Sequence, residues 1–138
     1  MTNRPIIIHG LEDAKTAIAV AAQLGCPVTL RSAPGAAAYL GPQVFRDMIA
    51  EARSGQKATN VRVIFDCGDD PGLALSALRH GLKTILIDAP RETFDKIADI
   101  AAQTDARVET AQPDGTKTLD LLDLDDAQDA ITTWLSGD

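Results

Sequence analysis

The sequence predicts an α/β protein built on a parallel β-sheet covered by helices. Three observations lead there. Five short runs rich in Ile and Val recur along the chain. Their starts lie 22, 33, 23 and 23 residues apart, close to one strand plus one helix per unit, with an insertion in the second. The intervals between them carry helical apolar spacing with start and stop signals at their ends.

The strands are read as Ile6 to His9, Val28 to Arg31, Val61 to Asp66, Thr84 to Asp88 and Arg107 to Thr110. The first helix runs from Leu11 to Leu24, with Leu11, Ala14, Ile18, Ala21 and Leu24 on one side and Gly25 as its stop. The second opens at Pro42 and carries Val44, Phe45, Met48, Ile49 and Ala52 before Gly55. Proline at the first turn and glycine past the last is the expected polarity. In the third, Asp70 caps a helix that begins at Pro71 and stops at Gly81. The fourth carries Phe94, Ile97, Ala98 and Ala101, and the fifth, after Asp125, buries Ile131, Trp134 and Leu135. Pro113-Asp114-Gly115 reads as a turn, whereas the run Leu119 to Leu124 fits a strand or an extra helical turn equally.

At 138 residues, the chain is expected to form a single domain over 1–138. Twenty-two alanines and 4% aromatics imply a core of small and branched aliphatics on closely packed helices. A net charge of −7 argues against nucleic acid and anionic lipid as partners, and no stretch of 18 apolar residues suggests a membrane span. Met1 to Pro5 leads into three isoleucines and then His9, which does not read as a secretory signal. Cys26 and Cys67 are too few for a disulfide framework, so a cytoplasmic setting is expected.

Periodicity leaves two topologies open. One is a flavodoxin-like doubly wound sheet of order 2-1-3-4-5; the other is a piece of a (βα)8 barrel of order 1-2-3-4-5. In both, ligands meet the C-terminal ends of the strands, where the polar residues collect. His9 ends strand 1, Arg31 and Ser32 strand 2, Asp66 and Cys67 strand 3, and Asp88 strand 4, while Glu109 sits on strand 5. Alternation places Asp66 and Asp88 on one face, where two close carboxylates suit acid–base work. The plainer alternative is that such residues hold loops, as Asp69 and Asp70 are expected to do. The Ala33 to Ala38 loop, with Gly35 inside it, allows close backbone approach to a ligand but lacks the Lys and Ser/Thr of a phosphate loop. Two histidines, His9 and His80, and no Cys-x-x-Cys give little support to a metal site, and no cofactor is expected.

Several segments then resemble the class II fructose-bisphosphate and tagatose-bisphosphate aldolases. Ser32-Ala33-Pro34-Gly35-Ala36-Ala37-Ala38-Tyr39-Leu40-Gly41 is similar to their S-x-G-A-x-x-Y-x-G segment. Val63 to Asp70 resembles their L-H-L-D-H-G run, and Ala77 to Asp88 the A-I-x-A-G-F-T-S-V-M-I-D-G run that follows. Leu11-Glu12-Asp13, Gly25-Cys26-Pro27-Val28 and Ala106-Arg107-Val108-Glu109 fit the corresponding family pieces in order. The resemblance implies strand order 1-2-3-4-5: a (βα)5 half of a TIM-type barrel. It also implies that chemistry has been lost. A family zinc histidine falls at Cys67, a zinc glutamate at Ala111 and a substrate serine at Ala33, while the general-acid aspartate is kept as Asp66.

The expectation is therefore a catalytically degenerate domain, not a zinc-dependent aldolase. It would bind a small carbohydrate-like or phosphorylated ligand, or a protein partner, at the strand ends. Asp66, Cys67 and Asp88 are the candidate catalytic residues, and His9, Ser32, Gly35 and Glu109 the candidate binding residues. The alternative is a metal-free lyase or isomerase using Asp66 with Cys67 or His9. An open strand-1 edge beside Ile6-Ile7-Ile8 further predicts a homodimer, with Ile6, Ile8 or inward residues of strands 3 and 4 at the contact.

Overall fold

The computed structural model describes residues 4–56, 60–110 and 117–137. Strands β1 (Ile6–Ile8), β2 (Val28–Ser32), β3 (Val61–Asp66), β4 (Thr84–Ile87), β5 (Arg107–Thr110) and β6 (Leu119–Asp120) form a sheet of order β5-β4-β3-β2-β1-β6. Helices α1 (Leu11–Leu24), α2 (Pro42–Arg53), α3 (Pro71–Arg79) and α4 (Arg91–Ala102) follow the first four strands, and α5 (Ala127–Ser136) comes last. The first five strands stand in sequence order, so the flavodoxin-like alternative, with β1 between β2 and β3, is excluded. The run after Lys117 resolves as a two-residue strand. The Pro113-Asp114-Gly115 turn lies outside the described residues.

The chain divides into two compact units. The first comprises Met1–Arg31, Asp47–Arg62 and Gly115–Asp138. In it α1 packs on α5; Ala14, Ala17, Ile18 and Ala21 are buried on α1 and Ile131 on α5. Alanine at these positions lets two helix backbones approach closely. Gly25 ends α1 in the left-handed conformation (φ 67°), which frees its amide to reach Ala21 O and Ala22 O. Arg4 lies 4.1 Å from the Trp134 ring centre and donates through Nη2 to Trp134 O, while Trp134 Nε1 donates to Arg4 O at 3.2 Å. The two ends of this unit are thereby clasped by packing, charge and two hydrogen bonds.

β6 corrects one expectation. Strand 1 is not an open edge: β6 pairs with it in parallel, Ile6 opposite Leu119 and Ile7 opposite Asp120. Leu119 N donates to Pro5 O and Leu121 N to Ile7 O, both at 3.1 Å. All three isoleucines are buried, so Ile6 and Ile8 offer no contact surface. The pairing was invisible in sequence because Leu-Asp-Leu-Leu-Asp-Leu follows neither a period of two nor one of 3.6.

The second unit comprises Ser32–Arg46 and Val63–Asp114. β3, β4 and β5 are parallel neighbours in the register Asp66–Leu86–Glu109. Phe45 of α2 stacks on Phe65 of β3, ring centres 4.9 Å apart and planes at 29°, and both rings are buried. Asp70 caps α3 as expected: its Oδ1 accepts from Gly72 N at 2.9 Å and Leu73 N at 3.3 Å, with Pro71 in the first turn.

The β6 edge is fastened by a hydrogen bond between His9 Nε2 and Asp120 Oδ1 at 2.6 Å. Burial opposes ionisation of Asp120, but hydrogen bonds from His9 and Leu122 N and the attraction of His9 outweigh it and lower its carboxyl pKa. A carboxylate lowered in the folded state stabilises fully above its unfolded pKa, near about 4, and loses that contribution as pH falls through the folded value. Acid titration should therefore loosen the Leu119 and Leu121 amides before those of β4, as read by hydrogen exchange. Asp120→Asn should abolish this local acid dependence; an unchanged profile in the variant would contradict the assignment.

Candidate functional site

The strand-end chemistry of the second unit is organised by Asp66. This residue closes β3 and is buried. Its Oδ1 accepts from Gly68 N at 2.9 Å and from Gly35 N at 3.0 Å. Its own amide donates to Ser32 Oγ at 2.8 Å, and that serine is buried as well. Gly35 (φ 67°) and Gly68 (φ 62°) are both left-handed, so their amides turn back toward the carboxylate. A Cβ on Gly68 would lie 3.5 Å from Gly35 Cα, an ordinary contact, so backbone conformation rather than space selects glycine there. Hydrogen bonds to an ionised acceptor contribute about 1.5–3 kcal/mol each. Around this point Cys67 N donates to Leu86 O and Asp88 N to Gly68 O, both at 2.8 Å, carrying the β3–β4 pairing past the strand ends.

Ser32, Gly35 and Asp66 are thus brought together, but as a scaffold in which serine and glycine serve the aspartate. Cys67 adjoins them with its side chain turned away from solvent: it is 1% exposed, and Sγ donates to Phe65 O at 3.8 Å. Burial, reinforced by the charges of Asp66 and Asp70, pushes its thiol up to about 12. The thiol is therefore protonated near neutral pH and packs as a small apolar side chain. Of the candidate catalytic residues, Cys67 therefore carries its side chain in the core.

Asp88 stands beyond β4 and is exposed. Because Asp66 pairs with Leu86, Asp88 lies two residues further along the same face, and the two carboxylates occupy different environments. Glu109 occupies the Asp66–Leu86 row on β5, is partly buried, and lies 3.8 Å from Arg107 Nη2. His9 belongs to the first unit, where its ring is engaged by Asp120 and its backbone amide donates to Asp13 Oδ2 at 2.8 Å. Two participants escaped the sequence reading. Gly68 carries the only local clue, a glycine two residues after a strand-end aspartate. Asp120 carries none, lying 111 residues from the histidine it binds.

The family's catalytic zinc does not fit the residues present. Among the described residues no three His, Cys, Asp or Glu side chains gather as a metal site. The thiol at the position of a family ligand is sunk in the core, and Ala111, at another, lies outside the described residues.

With this geometry in view, comparison defines the class: a parallel α/β fold with its polar residues at the strand ends. The profile of class II fructose-bisphosphate aldolase matches residues 4–116, and the chain belongs to that family. No curated protein sequence matches the chain. Among solved structures it is similar to the YdjI aldolase from Escherichia coli K12, at 17% identity and a TM-score of 0.64, over 78% of this chain and 43% of that one. It is also similar to a "putative fructose-1,6-biphosphate aldolase" from Coccidioides immitis, at 16% identity and a TM-score of 0.65, over 96% and 52%. At such identities the likeness concerns the fold, and the chain spans about half the length of either structure.

Asp66→Ala leaves the Gly35 and Gly68 amides without their acceptor, while the backbone amide of residue 66 can still donate to Ser32 Oγ. The substitution should lower unfolding free energy by about 2–4 kcal/mol in urea titration. A change below about 0.5 kcal/mol would show that the carboxylate does not hold these loops.

Proposed function

We propose that this chain is an aldolase-fold domain without zinc-dependent aldol cleavage, and that it serves as a binding domain at the C-terminal ends of its strands. The observation that carries the reading is the commitment of Asp66. The residue matching the family's general acid is buried and bonded to the Gly35 and Gly68 amides, and the neighbouring ligand position is a core thiol. A general acid needs a substrate atom within hydrogen-bond reach, and zinc supplies several kcal/mol toward a developing oxyanion; this arrangement favours neither. The metal-free enzyme reading is disfavoured as well, because Cys67 lacks thiolate character.

On this reading the 138 residues act as one cytoplasmic domain. The ligand side is acidic, with Asp69, Asp70 and Asp88 exposed after β3 and β4. Those charges favour a polyhydroxylated, carbohydrate-like ligand held by carboxylate–hydroxyl hydrogen bonds over a phosphorylated one.

The purified chain, supplied with Zn2+, should give no cleavage of fructose 1,6-bisphosphate or tagatose 1,6-bisphosphate above the protein-free rate; cleavage abolished by EDTA would refute the proposal. In an NMR titration with an unphosphorylated hexitol, the amides of Gly68 and Asp88 should shift, and Asp88→Asn should remove the shift while leaving the melting curve unchanged. Shifts that appear with the bisphosphates alone would refute the ligand assignment. Cys67 in the folded chain should resist iodoacetamide at pH 8 and react on unfolding; rapid native alkylation would restore the nucleophile reading.

A further inference from the structure

The sheet has two ends, and they are treated differently. At one, β6 covers β1 and is itself only two residues long. At the other, β5 pairs with β4 alone among the described residues. We infer that β5 is a self-complementary edge through which two copies of this chain join as an antiparallel, twofold-related strand pair centred on Val108.

The register follows from which backbone groups face outward. Arg107 N donates to Lys83 O at 2.8 Å, so Arg107 and, two residues on, Glu109 turn their amides toward β4. Val108 and Thr110 then turn theirs away from the sheet. A twofold axis at Val108 makes that residue its own hydrogen-bonded partner, with two reciprocal N–H to O=C bonds between copies. The flanking residues fall opposite one another: Arg107 faces Glu109 of the second copy, and Glu109 faces Arg107. In one chain these side chains share a face, 3.8 Å apart, so the dimer would assemble four charges of alternating sign at the corners of a square.

Shifting the axis by one residue destroys the match. Centred on Arg107, two guanidinium groups face each other; centred on Glu109, two carboxylates do. Like charges directly opposite destabilise a strand pair and unlike charges stabilise it. Charged side chains commonly protect an edge against association; here the two charges are of opposite sign, at the spacing that self-pairing requires. A net charge of −7 per chain opposes association in general, but Arg107 to Thr110 is itself neutral. A four-residue edge is small beside the 1,200–2,000 Å² of total surface typical of stable interfaces, about that range being the norm. The dimer is accordingly weak and concentration-dependent.

Sedimentation equilibrium from about 10 µM to about 1 mM tests this directly. The average mass should rise from 14.6 kDa toward twice that value. Val108→Pro removes an amide that does not pair with β4 and should hold the chain at the monomer mass, with its circular-dichroism melt preserved. Arg107→Glu and Glu109→Arg should each abolish association alone, yet an equimolar mixture of the two should recover it, because every facing pair is again of opposite sign. Should Glu109→Arg fail to fold, Arg107→Glu and Val108→Pro carry the test. A wild-type chain that stays at 14.6 kDa throughout overturns the inference, as does a dimer indifferent to both of those variants.

Discussion

One buried carboxylate sets the geometry of the strand-end loops in the second unit. Asp66 Oδ1 takes amides from two left-handed glycines, one in the loop after β2 and one in the turn after β3. Remove it, and Gly35 and Gly68 would have no reason to aim their N–H groups at a common point. From Gly68 the constraint passes onward: its carbonyl accepts from Asp88 N, which fixes where the chain leaves β4. Ser32 adds a second tie by accepting from the Asp66 amide. The buried thiol of Cys67 follows directly after this carboxylate.

The burial of Cys67 follows from the same arrangement. The backbone at Cys67 is pinned by its own amide on Leu86 O while Asp66 faces the glycine loops, so alternation sends the Cys67 side chain toward the core and Phe65 O. In that position the neutral thiol is favoured twice, by burial and by two nearby carboxylates. The residue is thus a packing element, and its chemistry is suppressed by the loops' own architecture.

Much of the fold was legible in the residues. Ile- and Val-rich runs gave β3 and β5 their full extents, and β1, β2 and β4 to within a residue. Pro42 with Gly55, Asp70 with Pro71, and Gly25 marked helix ends because each acts through its own backbone geometry. Strand order was different: periodicity left two topologies standing, and the colinear family motifs pointed to the one observed. A strand after Leu119 was one of two readings, but its pairing with β1 escaped because it depends on residues more than a hundred positions away. The candidate site was legible in membership, not in role. Ser32, Gly35 and Asp66 do meet, but a sequence cannot say whether an aspartate faces a substrate or a pair of backbone amides.

Hydrogen exchange of the Gly35 and Gly68 amides tests the central claim most directly. Both are loop amides, which exchange quickly unless an acceptor holds them. Both should be strongly protected in the native chain and should become exposed together in Asp66→Ala, which removes the acceptor, while the core amides of β4 remain slow. Rapid exchange of either glycine in the native chain, or protection that survives the substitution, would show that Asp66 is not what holds these loops, and would return its carboxylate to the list of groups available for chemistry.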